Sequence, residues 1–116
     1  MIKKNGGYEI SLKENMRGGD GTVKITNLLT KEELNDKGRL YGIIRLDPGC
    51  SIGYHVHEGE SEIFHVLCGS ALYNDNGTEV IINAGDTTVT ASGEGHSIKN
   101  PSEDTVCEVM ALIVYA

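Results

Sequence analysis

A chain of 116 residues, 39% of them apolar, can build one ordinary domain with a real core. Its 10 Lys and Arg against 17 Asp and Glu leave a formal charge of −7, which repels phosphate backbones and anionic lipid, so neither nucleic acid nor a membrane surface is expected as a partner. No apolar run reaches the roughly 20 residues of a spanning helix. The basic start, Met1 to Gly7, is not followed by an apolar segment and does not read as a signal peptide. The three cysteines (Cys50, Cys68 and Cys107) are widely spaced with no CxxC, which argues against a disulfide framework and for a reducing, cytoplasmic setting.

In chain order, Tyr8–Leu12 and Thr22–Leu28 read as strands on either side of the loop Arg17-Gly18-Gly19-Asp20-Gly21. The one helix signal follows. Thr30 with Glu33 three residues on forms a capping box, and Gly38 offers a stop, so a helix of one or two turns is expected there. Leu40–Leu46 is apolar and β-branched and ends at the turn Asp47-Pro48-Gly49. Ser51–His57, Glu62–Cys68, Ala71–Tyr73, Thr78–Asn83, Thr87–Ala91, His96–Asn100 and a last run from Thr105 to Tyr115 complete some ten strands. Asn76-Gly77 suits a type I′ hairpin turn. This pattern, with 15 glycines, predicts an antiparallel all-β sandwich or barrel. Residues 1–39 are expected to lie against a barrel core of 40–116, the whole being one domain.

The chemistry concentrates between Gly49 and Gly69. His55 and His57, two apart, project from one face of an extended strand, and Glu62 follows a short Gly-containing loop, which suggests a site assembled across a hairpin. His96 lies past a second Gly-rich turn, and if its face is interior it can join the other three. Three imidazoles and one carboxylate are ligands for a divalent first-row metal, with coordination positions left for water or substrate. Such a mixed nitrogen and oxygen set suits Mn(II) or Fe(II), and Zn, Ni or Co would also accept it.

These residues resemble the cupin family. Its first motif, G-x5-H-x-H-x4-E-x6-G, is matched by Gly49, His55, His57, Glu62 and Gly69, and its second, G-x5-P-x-G-x2-H-x3-N, by Gly85, Gly93, His96 and Asn100. Ala91 stands where the family usually has Pro, a change that touches turn stiffness and not the ligands. The resemblance implies a double-stranded β-helix, or jelly-roll barrel, with the metal inside, like small single-domain cupins of the oxalate-decarboxylase-like and sugar-isomerase-like kind. It also implies a homodimer paired through a sheet.

Other residues are weighed against these. His65, three after Glu62, should face the opposite way and stay outside the site. Phe64 and Val66 share the face of Glu62 and are expected to line the pocket. Tyr54 should point away from His55 but could shape the edge of the site. Arg45, in an apolar strand, could clamp a substrate carboxylate if it faces the cavity, and otherwise sits on a solvated or dimer face. Glu60 and Lys99 are expected to face solvent, and Asn100 to stabilise a turn. The expected function is a metalloenzyme (decarboxylase, dioxygenase or isomerase) acting on a small oxygen-rich substrate such as a carboxylate, diketone or sugar. The alternative is a non-catalytic binding or sensor module. No general acid or base beyond the ligands is evident in the sequence.

Overall fold

A computed structural model describes all 116 residues. Ten strands form: β1 (Glu9–Glu14), β2 (Thr22–Leu29), β3 (Gly38–Leu46), β4 (Ser51–Val56), β5 (Glu60–Cys68), β6 (Ser70–Asp75), β7 (Thr78–Asn83), β8 (Thr87–Thr90), β9 (Gly95–Lys99) and β10 (Cys107–Tyr115). All pair antiparallel, in a six-stranded sheet ordered β1-β2-β3-β10-β5-β8 and a four-stranded sheet ordered β4-β9-β6-β7. The architecture is the all-β jelly roll. Side chains alternating inward from both sheets make one core, in which Val23, Ile44, Leu46, Phe64, Val66, Ile98 and Val109 are buried. The three cysteines are free thiols. No helix is long and apolar enough to cross a membrane.

The helix expected after Thr30 does not form. Its capping box does: the Thr30 amide donates to Glu33 Oε1 at 2.8 Å, and the Glu33 amide donates to Thr30 Oγ1 at 3.1 Å. One turn closes, then Asn35 and Asp36 take left-handed backbone angles (φ 55° and 54°), and Gly38 opens β3 instead of ending a helix. A single turn fixes several dihedrals for little hydrogen bonding, and nothing beyond it extends the run. A 3₁₀-type turn closes at Met16–Gly18, in the loop between β1 and β2, with Arg17 itself at left-handed angles. At the hairpin joining β6 and β7, Asn76 and Gly77 both have positive φ, as a type I′ turn requires.

Two irregularities matter for the site. In the pairing of β4 with β9, Ile52 faces Ile98 but His55 faces His96, so β4 carries one extra residue across Gly53-Tyr54. In the pairing of β3 with β10, Leu40 faces Ile113 and Gly38 faces Val114, which leaves Arg39 as the extra residue. A bulge of this kind shifts which side chains point inward.

Candidate metal centre

The site lies between the two sheets. His55 on β4, His57 just past its end and His96 on β9 come from the small sheet, and Glu62 on β5 comes from the large one. Strands β4 and β5 do not pair, so the expected hairpin is replaced by a crossing from one sheet to the other at residues 57–59, and Glu62 meets the imidazoles face to face. The extra residue at Gly53-Tyr54 lets Ile52 and His55, three apart, both point inward. One potential ligand atom from each of the four residues lies within 4.8 Å of all the others. His57, Glu62 and His96 are buried, and His55 is half-buried.

Each imidazole is held by its outer nitrogen. His55 Nδ1 lies 2.8 Å from the Gly53 carbonyl and His57 Nδ1 lies 2.7 Å from Glu60 Oε2. Both partners only accept, so these Nδ1 atoms carry the protons and each Nε2 presents a lone pair to the centre. His96 Nδ1 lies 2.8 Å from the Tyr73 hydroxyl and 2.9 Å from the Thr90 hydroxyl. Its ring is also stacked on Phe64, with centroids 5.1 Å apart. At the centre, His57 Nε2 and His96 Nε2 are 3.1 Å apart, and Glu62 Oε1 lies 3.1 and 3.0 Å from them.

That donor set fits a cation. Neutral imidazoles so tethered, with a carboxylate among them, concentrate lone pairs that repel one another unless positive charge lies between them. The titration tendencies show the pull between Glu62 and the imidazoles. The His57 imidazole is raised by its contact with Glu62, which with Glu60 outweighs burial. Burial pushes the Glu62 carboxyl up, but the His57 and His96 contacts prevail and hold it below the usual range. His55 is lowered by burial, which the Gly53 carbonyl offsets only in part. Three nitrogens and one oxygen from a tied-down shell could hold a divalent first-row metal.

A Cupin domain model matches residues 42–115. The chain is a cupin. This cupin is 48% identical over 100 residues, 86% of its own length and 82% of its relative's, to the oxalate-binding protein of Thermotoga maritima. A crystal structure described as a predicted oxalate decarboxylase of Thermotoga maritima matches it with a TM-score of 0.94 and 42% identity over 100% of both chains. A Cupin 2 conserved barrel domain protein of Salinispora arenicola shares the fold, with a TM-score of 0.76 at 22% identity over 100% of this chain and 89% of that one.

A cavity of about 300 Å³ opens onto the cluster, with His55, His57 and Glu62 in its wall. None of the four expected pocket residues lines it. Arg45 is exposed on the outer side of β3, where Nε donates to Asp47 Oδ1 at 2.9 Å, so it does not reach the cavity. Tyr54 is half-exposed on the outer face of the small sheet, and its ring covers Gly95 so closely that a Cβ there would collide with it. Phe64 backs His96 from the core side, and Val66 is core. His65 is exposed, as strand alternation requires, with Nδ1 2.8 Å from Thr87 Oγ1. Asn100 is buried and ties its turn together, donating to the Leu46 and Thr105 carbonyls at 2.9 and 2.7 Å.

Sequence reasoning missed the residues that support the cluster. Glu60, expected in solvent, accepts a bidentate pair from Arg39 Nε and Nη2, both at 2.7 Å, while it holds His57. The Arg39 guanidinium keeps its carboxyl down at about 2, against a smaller opposing effect of burial. Lys13 and Arg17, from the segment before the motifs, line the cavity. Only the bulge at Arg39 and the folding of the first hairpin over the barrel bring these groups to the site.

Proposed function

We propose that this cupin binds a divalent first-row metal, Mn(II) or Fe(II) by donor type, through His55, His57, His96 and Glu62, and that the site captures a small carboxylate from the cavity. The carrying observation is the convergence of three outer-tethered imidazoles and Glu62 to within 4.8 Å, at the floor of a cavity of small-molecule size. Oxalate is the first candidate, because a relative 48% identical bears the name oxalate-binding protein. When bound, the metal supplies Lewis acidity toward carboxylate oxygens.

The chain's own groups favour capture over turnover. Glu62 is the only carboxylate in the cavity wall, and Glu60 is committed to Arg39 and His57, so no carboxylic acid stands ready to move a proton. The test is calorimetric titration of oxalate into Mn-loaded protein, with metal content measured beside it. Stoichiometric binding without release of formate or CO2 supports the reading, and steady release of either product replaces it with a decarboxylase. His57→Ala should lose both metal and oxalate binding, and full metal stoichiometry in that variant would remove the four-ligand centre. We infer in addition that the cupin is a homodimer, with Ile10 and Leu12 exposed on the edge strand β1 as the support.

A further inference from the structure

We propose that Arg17 and Lys13 form a cationic mouth at the cavity of the His/Glu cluster that selects small dianions, dicarboxylates above all, over monocarboxylates. The inference rests on the metal-site reading above and adds the class of ligand and the residues that recognise it.

The molecule is acidic, yet this cavity is not. Its charged walls are Lys13, Arg17 and Arg39 against a single carboxylate, Glu62. Arg39 is neutralised by Glu60, whereas neither Lys13 nor Arg17 belongs to an ion pair. Two unpaired cations at one cavity of a protein with net charge −7 mark a local field opposite to that of the whole surface. Glu62 offsets only part of a metal dication's charge, so with Lys13 and Arg17 nearby the site keeps a positive excess that a dianion offsets further than a monoanion does. A ligand that places some carboxylate oxygens at the cluster and leaves others facing the cavity meets the planar guanidinium fork, which suits carboxylate geometry.

The backbone at Arg17 is also held in place. It sits in the Met16–Gly18 turn at φ 54°, ψ 31°, a left-handed conformation that a glycine would adopt without strain, and the next residue is a glycine. A backbone conformation of this kind costs energy and persists only where the surroundings hold it. The turn is closed by Gly18 N–H donating to the Asn15 carbonyl at 3.0 Å, Gly19 N–H to the Met16 carbonyl at 2.9 Å, and Asn15 Nδ2 to the Gly19 carbonyl at 3.1 Å. It is seated on β4 so closely that a Cβ on Gly53 would strike the Arg17 carbonyl, and one on Gly19 the Ser51 carbonyl. Since β4 carries His55, the Arg17 turn and the cluster share one support.

The test compares oxalate with acetate by calorimetry on wild-type protein and on Arg17→Gln, Lys13→Gln and Arg17→Lys, each with metal content and melting temperature recorded. Wild type should prefer oxalate by more than roughly tenfold, each Gln variant should weaken oxalate by about tenfold at full metal content, and Arg17→Lys should recover part of the loss. Added salt should weaken oxalate less in the Gln variants than in wild type. Unchanged oxalate affinity in folded, metal-loaded Arg17→Gln and Lys13→Gln would overturn the proposal while leaving the metal site intact. Failure of the metal reading looks different: metal-stripped wild type would bind oxalate as tightly as loaded protein, and Arg17→Gln would still weaken it. Wild type that takes up neither metal nor oxalate would overturn both.

Discussion

His57 shows how the environment of a candidate ligand extends past its neighbours in sequence. Its Nε2 faces the cluster because Glu60 fixes its Nδ1, and Glu60 stays ionised and in place because Arg39 grips both its oxygens. Outer partners of this kind set the tautomer and basicity of the imidazole. Glu60→Gln keeps an oxygen to accept from His57 Nδ1 but loses the charge and the bidentate clasp. It should lower metal affinity by about 10- to 100-fold with little change in the cluster's geometry, as measured by competition with a chromophoric chelator. Unchanged affinity would make the Arg39–Glu60–His57 chain a structural ornament of the loop. The four residues of the cluster were legible from spacing, since His55, His57, Glu62 and His96 stand at fixed intervals in residue types able to bind metal. Arg45 was not separable from Arg39 in the same way. Both are arginines in β3, and only the bulge, together with Asp47 beside Arg45, sends one to the site and the other to solvent.

At the scale of elements, the loop between β1 and β2 and strand β4 act as one unit. Gly53 is the contact point: the bulge in β4 passes through it, and the Arg17 carbonyl occupies the space a side chain would need. Gly53→Ala must push the turn away. A stability loss of about 1–3 kcal/mol in denaturant unfolding is expected from such overpacking, with weaker oxalate binding because Arg17 moves with the turn. A variant as stable as wild type would show that the turn is not seated on β4. The ten strands were readable from alternation and turn residues to within a few positions, because sheets with one buried face impose a period of two. The residues after Thr30 misled because a capping box is a local signal, and the helix it announces needs a run of residues that Asn35 and Asp36 interrupt.

For the whole molecule, the two edges of the large sheet differ in length. At one end β1 runs six residues and exposes Ile10 and Leu12, the latter 68% exposed, while at the other β8 has only four. A longer apolar edge invites pairing with a second copy. Light scattering after size exclusion should give a mass near twice 12.5 kDa, and Leu12→Glu should shift it toward the single-chain value. A wild-type mass of one chain would end the dimer reading.

The amino-acid sequence by itself determined the all-β class, the two motifs and the four residues that converge, because strand period and ligand spacing are local properties written along one chain. Only the tertiary structure decided that Glu62 faces the imidazoles from the opposite sheet, that Arg39 and Glu60 brace His57, and that Lys13 and Arg17 line the cavity. Those arrangements depend on which strands pair and where one extra residue enters a ladder. A one-residue shift in register sends a side chain to the other face, and that shift is set by packing between distant segments.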